Sequence, residues 1–432
     1  MKRKFYKVLI EWKNKNINTP LMVVGARQIG KTYIIDEFCK NEFEDYIYIN
    51  LMEKQSITKI FEEDSDFETK VKKIELELNK KIIPEKTIVF IDEIQESEKA
   101  ISSLKAFCES KLKYRIICAG SLLGVKIRRF KSSFPVGKVQ IEFMHPMDFE
   151  EFLNALDKQM WVDEIKRCYE NLEEISIHDK LIDMYRTYLC IGGMPAAVLE
   201  YKNVNEDILL WNKNILKNII LSYLADMNKY TLNNNESIKI EKIYNTIPNS
   251  LAKENKKFKY VDIEKGANKR AFESAIDWLE ASEMIYKCKC VNKVEQPLKV
   301  YSQEDKFKLY LSDVGILISL LEIEFSEIIL NENFMFKGAI VENYVAQAFS
   351  TNNISLYYWN SGNKAEIDFL LYNKDGIIPV EVKAGDNTQS KSLNVYKEKY
   401  SPKYSIRLST KNFGFTNGIK SIPLYATFCI KY

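Results

Sequence analysis

The chain has 432 residues, of which 46% are hydrophobic and 28% are charged, and its formal net charge is +3. This composition fits a soluble globular protein with roughly two to four domains and real hydrophobic cores. No apolar run reaches the roughly 18 residues that a membrane-spanning helix needs, so no membrane partner is expected. The net charge is also too small to require nucleic acid as a partner.

The N-terminal segment MKRKFYKVLIEWKNKN is basic and then amphipathic. It lacks the uninterrupted apolar core and the small-residue cleavage site of a signal peptide. The eight cysteines are scattered, and the two histidines, His145 and His178, do not complete any zinc-binding spacing. We therefore expect reduced thiols and a cytoplasmic location.

Residues 25–32 read GARQIGKT, which is the G-x-x-x-x-G-K-[ST] pattern of a phosphate-binding loop. The apolar segment 20–24 predicts a strand before the loop, and apolar spacing over 33–38 predicts a helix after it. In this setting backbone N–H groups and the helix N-terminus face the phosphates. Lys31 is expected to reach the β- and γ-phosphates of ATP, and Thr32 to ligate Mg²⁺. The residues expected to contact ATP are Gly25, Ala26, Arg27, Gln28, Ile29, Gly30, Lys31, Thr32 and Tyr33.

Residues 88–93, IVFIDE, predict a buried parallel strand that delivers two carboxylates to its C-terminal end. Asp92 is expected to hold Mg²⁺ through its water shell, and Glu93 to polarise the attacking water. A third strand is predicted over 114–119, and Ser121 after it is the candidate sensor of the γ-phosphate. The alternatives are an ordinary strand with a solvated acidic turn and a plain loop serine.

Arg128 and Arg129, which follow the third strand, are the candidates for an arginine that acts on the γ-phosphate of a neighbouring subunit. The alternative for both, as for Arg27, is a solvated surface arginine. Residues 135–153 predict a strand, a proline turn and a helix capped near Asp148. Residues 156–232 predict helices interrupted at Gly192-Gly193-Met-Pro195, where the glycines form either a hinge or a helix cap.

Residues 233–300 predict three helices and a hairpin, which is the order of a winged helix. Pro248 is expected to close the first helix. Lys269 and Arg270 start the third helix, where a DNA-reading helix presents its contacts. The local basic excess over 252–270 also favours DNA contact. The alternative is a protein-packing module with solvated charges.

The segment 301–432 contains the pattern D-x12-E-x-K at Asp368, Glu381 and Lys383. The two strands of a hairpin would bring Asp368 and Glu381 together, and Lys383 shares a sheet face with Glu381. Two carboxylates and a lysine can hold Mg²⁺ and activate a water for phosphodiester attack. Glu342 and Glu366 lie upstream as further acids. The alternative is a fold that keeps its acidic hairpin for structure.

The chain resembles bacterial and archaeal AAA-type ATPases whose C-terminal domain of unknown function resembles PD-(D/E)xK restriction-endonuclease-like folds. The resemblance rests on the segments 25–32, 88–95, 119–124, 134–153, 192–195, 308–317, 336–347 and 358–385. It implies ATP binding and hydrolysis, a winged-helix element and a DNA target. Many relatives have Gly-Arg where this chain has Gly137-Lys138, and lysine cannot make the planar fork of arginine.

We therefore expect an α/β protein with four parts: an AAA-like P-loop NTPase core with a parallel sheet (1–155), a helical lid (156–232), a winged-helix-like module (233–300) and a nuclease-like α/β domain (301–432). The leading hypothesis is a Mg²⁺-dependent ATPase whose hydrolysis moves a DNA-associated C-terminal module. Two alternatives remain open: a nucleotide-switched DNA- or protein-binding regulator without nuclease activity, and an ATP-gated DNA nuclease. A homo-oligomer is expected if a neighbour supplies the arginine.

Overall fold

The computed structural model describes residues 1–15, 18–129, 134–229, 231, 234–330, 334, 336–362, 365–385 and 391–431. The chain divides into two compact units. The N-terminal unit comprises residues 2–145 with 281–283, and the C-terminal unit comprises 146–280 and 284–432 with Met1. Within the described ranges, none of the helices has both the length and the apolar character needed to span a membrane.

The N-terminal unit alternates strands with helices. Its strands are β1 (Leu21–Val24), β2 (Asp45–Asn50), β3 (Thr87–Asp92), β4 (Arg115–Gly120) and β5 (Gln140–Phe143). Its helices are α1 (Phe5–Asn14), α2 (Lys31–Glu42), α3 (Gln55–Glu62), α4 (Phe67–Leu78), α5 (Glu98–Glu109) and α6 (Leu123–Arg129). A short 3₁₀ helix, Ile94–Glu96, follows β3.

The five strands form one parallel sheet in the order β2-β3-β4-β1-β5, so the predicted parallel α/β sheet is confirmed. Every residue of β1 and β3 is buried, which is typical of parallel strands covered on both faces. Because β4 lies between β1 and β3, the C-terminal ends of these three strands are adjacent at one edge. Ligands of open parallel sheets bind at this edge.

The C-terminal unit contains two sheets among its helices. Its helices are α7 (Phe149–Ala155), α8 (Gln159–Asn171), α9 (His178–Ile191), α10 (Pro195–Asn203), α11 (Asn214–Lys229), α12 (Asn234–Ala252), α13 (Lys269–Ala281), α14 (Val314–Leu320), α15 (Phe325–Leu330), α16 (Lys337–Thr351) and α17 (Lys391–Tyr400). Short 3₁₀ helices cover Tyr260–Asp262, Leu298–Tyr301 and Leu424–Cys429.

The strands of this unit are β6 (Ile285–Val291), β7 (Ser302–Leu311), β8 (Tyr357–Asn360), β9 (Glu366–Ile367), β10 (Phe369–Asn373), β11 (Gly376–Val382), β12 (Ser405–Ser409), β13 (Gly414–Thr416) and β14 (Ile419–Pro423). One sheet has the order β7-β6-β8-β9, and the other has the order β10-β11-β12-β14-β13. Strands β10 and β11 are an antiparallel hairpin, and β12 joins β11 in parallel.

The prediction that Pro248 closes a helix is wrong. Helix α12 continues through Pro248 to Ala252. A proline inside a helix removes one backbone N–H donor and costs free energy. Here Ile247, Pro248 and Leu251 are all buried, and this packing offsets the cost. The predicted third helix and following strand are confirmed as α13 and β6. The predicted second helix is wrong, because only the 3₁₀ turn Tyr260–Asp262 lies between α12 and α13.

The predicted interruption at Gly192 and Gly193 is also confirmed, because it separates α9 from α10. The fully buried Asp313 accepts a hydrogen bond from the Gly193 N–H at 2.6 Å. A Cβ atom on Gly192, whose φ is +74°, would lie 2.2 Å from Asp313 Oδ1. The absence of a side chain at this turn is therefore a packing requirement.

Candidate functional site

The loop between β1 and α2 has the shape that its glycines allow. Gly30 has φ +89°, in the left-handed region that favours glycine, and it precedes the first residue of α2. A Cβ atom on Gly25 would lie 2.3 Å from the backbone oxygen of Met144, so this glycine is required by close packing. The loop therefore presents its backbone tightly wound at the N-terminus of α2.

Lys31 lies inside this loop. Its side chain is 7% exposed, and its Nζ donates hydrogen bonds to the backbone oxygens of Gly25 at 2.9 Å and Ala26 at 2.7 Å. Thr32 and Tyr33, the next two residues, are exposed on the first turn of α2. The ammonium group is thus buried and hydrogen-bonded at the place where the loop residues converge.

Thr32 joins this loop to the end of β3. Its Oγ1 donates a hydrogen bond to Asp92 Oδ2 at 2.8 Å, and the Tyr48 hydroxyl donates to the same oxygen at 3.2 Å. The backbone N–H of Glu93 donates to Asp92 Oδ1 at 3.0 Å. A carboxylate and a hydroxyl side by side are oxygen donors of the kind that Mg²⁺ prefers. The residues present therefore fit a magnesium ion.

Glu93 follows β3 in an unusual backbone conformation, with φ +52°. Its carboxylate accepts a hydrogen bond from the Gln95 side-chain amide. Burial raises the pKa of Glu93, and the hydrogen bond from Gln95 opposes that shift. A non-glycine residue with positive φ stores strain that is common at functional sites. A carboxylate with a raised pKa is also a stronger base than an exposed one.

Gln95 and Ser121 lie beside this group. Gln95 is 1% exposed, and a Cβ atom on Gly120 would lie 1.8 Å from its Oε1 atom. Ser121 directly follows β4 and is buried. Because β4 is the neighbour of both β1 and β3, Ser121 is at the same sheet edge as Lys31 and Asp92.

Two of the arginine candidates are on the surface of the N-terminal unit. Arg27 is exposed on the loop, and Arg128 is exposed on α6. The side chain of Arg129 lies outside the described part of the chain. Lys138 Nζ lies 3.1 Å from Glu109 Oε1, so it forms a surface ion pair.

Arg3 is a loop-positioning residue that sequence reasoning missed. It is buried, and its guanidinium donates hydrogen bonds at 2.7 Å to the backbone oxygens of Ile29 and His145. Burial and the charge of Arg3 lower the pKa of His145 to about 4, so this imidazole is neutral at pH 7. Arg3 thereby ties the phosphate loop to the end of the segment after β5. Its only sequence signal is the basic N-terminus.

The predicted carboxylates of the C-terminal unit lie at one end of the β10–β11 hairpin. The register pairs Phe369 with Val380, and one further step places Asp368 opposite Glu381. Asp368 Oδ2 accepts a hydrogen bond from the Val382 N–H at 2.8 Å. Lys383 Nζ lies 3.0 Å from Glu381 Oε1. Burial and the charge of Glu342 raise the pKa of Asp368 to about 7.

The two upstream acids are paired with lysines. Lys308 Nζ, which is 1% exposed, lies 2.8 Å from both Glu342 Oε1 and Glu366 Oε1. Lys256 and the Tyr310 hydroxyl also donate to Glu342. Across the described ranges, no group of three or more His, Cys, Asp or Glu side chains could hold a metal ion. Any metal at this hairpin would have to be held by fewer such ligands.

Three family models match separate parts of the chain. Residues 17–153 match an AAA domain. Residues 182–327 match a domain of unknown function, DUF8612, and residues 337–427 match another, DUF4143. No curated protein matches the chain.

Several solved structures are similar to the chain at low identity. The Walker-type ATPase paby2304 of Pyrococcus abyssi is 15% identical, with a TM-score of 0.44 over 74% of this chain and 96% of that one. The ORC2 protein of Aeropyrum pernix is 10% identical, with a TM-score of 0.38 over 78% of this chain and 92% of that one. A replication initiator DnaA bound to AMPPCP and single-stranded DNA is 12% identical, with a TM-score of 0.31 over 65% and 86%.

The sheet order, the phosphate loop and the family match agree with one another. The matched range 17–153 contains the loop, both carboxylates of β3 and Ser121. Residues 17–153 therefore form an AAA-type domain with a P-loop, most of which lies in the N-terminal unit.

Proposed function

We propose that the protein binds ATP, hydrolyses it with Mg²⁺, and couples turnover to a DNA-associated C-terminal unit. The observation that carries the proposal is the 2.8 Å hydrogen bond between Thr32 Oγ1 and Asp92 Oδ2. Through this hydrogen bond, the end of the phosphate loop contacts the carboxylate at the end of β3 directly. A nucleotide site of this class needs both parts at one place.

Each residue of the site has a distinct role in this proposal. Lys31 exchanges its two carbonyl partners for phosphate oxygens when ATP binds. Thr32 and Asp92 would hold Mg²⁺, which when bound neutralises charge on the phosphate oxygens. Glu93 orients the attacking water and accepts its proton, as its raised pKa favours. Ser121 contacts the γ-phosphate from the end of β4.

Substitution of Lys31 by Ala is expected to abolish ATP turnover while the protein stays folded. Glu93→Gln is expected to lower turnover by about 10²- to 10⁴-fold and to leave ATP binding intact, because it removes only the base. Phosphate release and nucleotide binding would be measured on the same preparations. Lys40→Ala, on the same helix but ion-paired with Asp36, is the matched control. Unchanged turnover in Lys31→Ala would refute the proposal.

Substitution of Arg3 by Ala is expected to weaken ATP binding roughly tenfold or more, because two charge-assisted hydrogen bonds no longer hold the loop. Isothermal titration with ATP would measure the dissociation constant, and circular dichroism would verify the fold. Lys2→Ala removes a neighbouring exposed charge and is the matched control. Equal affinity in Arg3→Ala and Lys2→Ala would show that Arg3 does not position the loop.

The basic segment 252–270 is the part of the C-terminal unit that the DNA-associated role would use first. Lys253 pairs with Asp262 at 2.6 Å, and Lys257 pairs with Glu366 at 3.3 Å. Lys256 pairs with Glu342. Lys269, at the start of α13, lies 3.3 Å from Glu273, and Arg270 beside it is exposed. The basic excess is therefore partly neutralised within the unit, and Lys259 and Lys265 are exposed in this segment together with Arg270.

A second candidate function is DNA cleavage at the hairpin, and one observation favours it. Glu381 Oε2 is buried without a hydrogen-bond partner among the described residues, beside the position of Asp368. A buried carboxylate oxygen without a partner is costly unless something binds it. Asp368, Glu381 and Lys383 would form the site, with the two carboxylates holding Mg²⁺.

Cleavage of labelled DNA with Mg²⁺ or Mn²⁺ is expected to vanish in Lys383→Ala and to persist in Lys391→Ala, an exposed lysine of α17. Wild-type cleavage is expected to rise between pH 6 and pH 8, because Asp368 with a pKa of about 7 must lose its proton to ligate a metal. Absence of cleavage by wild type, with or without ATP, would contradict this second function and leave DNA binding as the role of the unit.

A further inference from the structure

The C-terminal unit contains a second feature, a cavity of about 1010 Å³ on the opposite end of the β10–β11 hairpin from Asp368. Its wall includes the start of β8, the end of β10, the turn after β10 and residues beside β12 and β14. Leu370, the lining residue nearest to Asp368 along the chain, lies two residues from it. None of Asp368, Glu381 and Lys383 lines the cavity, so the carboxylates of the hairpin are not part of it.

The charge of this cavity is strongly positive. Four lysines line it: Lys299, Lys374, Lys420 and Lys431. Asp375 is the one acidic residue among its lining residues, and its Oδ1 lies 2.6 Å from Lys403 Nζ. Because a fifth lysine neutralises that carboxylate, the four lining lysines remain available to an anion.

Aromatic rings lie among the lysines. Tyr357, Tyr372 and Tyr404 line the same cavity, and Tyr372 is 48% exposed. The Asn373 side-chain amide donates a hydrogen bond to the Tyr404 hydroxyl at 2.9 Å, which fixes that ring. Lys420 Nζ lies 4.2 Å from the centre of the Tyr404 ring. Leu298 and Leu370 give the cavity an apolar floor.

The lysines and the aromatic rings together indicate which class of ligand fits this cavity. A ligand with several negative charges satisfies the lysines, and flat apolar rings satisfy the tyrosines and the floor. Proteins that bind single-stranded nucleic acid combine the same two elements, a basic groove and stacking side chains. A duplex also carries phosphates, but its base faces are stacked on one another inside the helix and are not open to the tyrosines. The volume is at the upper end of the roughly 300–1,000 Å³ typical of pockets for one small molecule, so it accommodates more than one nucleotide.

We propose that this cavity, lined by Lys299, Lys374, Lys420 and Lys431 with Tyr357, Tyr372 and Tyr404, binds single-stranded nucleic acid. The lysines hold the phosphodiester backbone, and the tyrosines stack on the bases. The inference names the binding surface behind the DNA-associated part of the proposed function, and it is independent of ATP hydrolysis.

The test is fluorescence anisotropy of labelled 15-nucleotide single strands of DNA and RNA, and of the matched duplex, with the full chain at ~50 mM salt. Wild type is expected to bind a single strand more tightly than the duplex. Lys374→Glu combined with Lys420→Glu is expected to weaken binding at least tenfold. Tyr372→Ala is expected to weaken binding roughly tenfold while the dependence on salt stays unchanged, because stacking is not ionic.

One control variant and one variant of the competing site on α13 make the result specific to this cavity. Lys180→Glu combined with Lys217→Glu makes the same charge change at exposed positions of α9 and α11, and it should leave affinity within about twofold. Lys269→Ala combined with Arg270→Ala tests α13. Binding lost in either of these two variants but retained in the cavity variant would overturn the inference. So would a preference for duplex, absence of binding to any single strand, or displacement by thymidine monophosphate at equal affinity.

The Lys31→Ala protein separates this inference from the proposed ATPase. It should lose ATP turnover and keep strand binding at the wild-type affinity. Strand binding in a wild-type protein that does not hydrolyse ATP would refute the ATPase and support the cavity. ATP turnover in a wild-type protein that binds no single strand would support the ATPase and refute the inference about the cavity.

Discussion

The hydrogen bond between Thr32 and Asp92 connects two segments that are 60 residues apart in the chain. It forms because β4 alone separates β1 from β3, so the loop after β1 and the carboxylates after β3 end at the same edge. The site therefore depends on the strand order as much as on the motif. Tyr48 on β2 and Arg3 at the N-terminus hold its two halves from outside, through Asp92 and the backbone of Ile29.

The two acidic regions of the chain differ in what surrounds their carboxylates. In the N-terminal unit Asp92 accepts hydrogen bonds from the hydroxyls of Thr32 and Tyr48 and from the backbone N–H of Glu93, and these three donors are uncharged, which leaves the carboxylate able to take a cation. In the C-terminal unit Lys308 and Lys256 compensate Glu342, and both atoms of the Lys308–Glu342 pair are buried. Removing one partner of such a buried pair costs about 3–5 kcal/mol because it leaves an uncompensated buried charge, so displacement of Lys308 from Glu342 by a metal is disfavoured. Binding of a metal cation, which the sequence allows in both acidic regions, is therefore favoured more strongly in the N-terminal unit than in the C-terminal unit.

Local patterns carried the predictions that held. The phosphate loop, the strand over 88–93 and the parallel sheet depend on short-range spacing, and the structure has each element close to its expected position. Pro248 shows the limit of such rules, because tertiary burial of its neighbours outweighed a local helix-breaking preference. Arg3, Tyr48 and Gln95 were missed because their roles come from contacts across the fold. The pairing of Lys256 with Glu342, 86 residues away, is equally invisible in the sequence.

In the proposed function, Asp92 and Thr32 form the magnesium position of an ATP site. The measurement that tests it is the ATP dissociation constant with Mg²⁺ and with EDTA, in wild type and in Asp92→Asn. Wild type is predicted to bind ATP more tightly with Mg²⁺, and Asp92→Asn to lose that gain while its affinity in EDTA stays the same. An undiminished magnesium effect in Asp92→Asn would contradict the account.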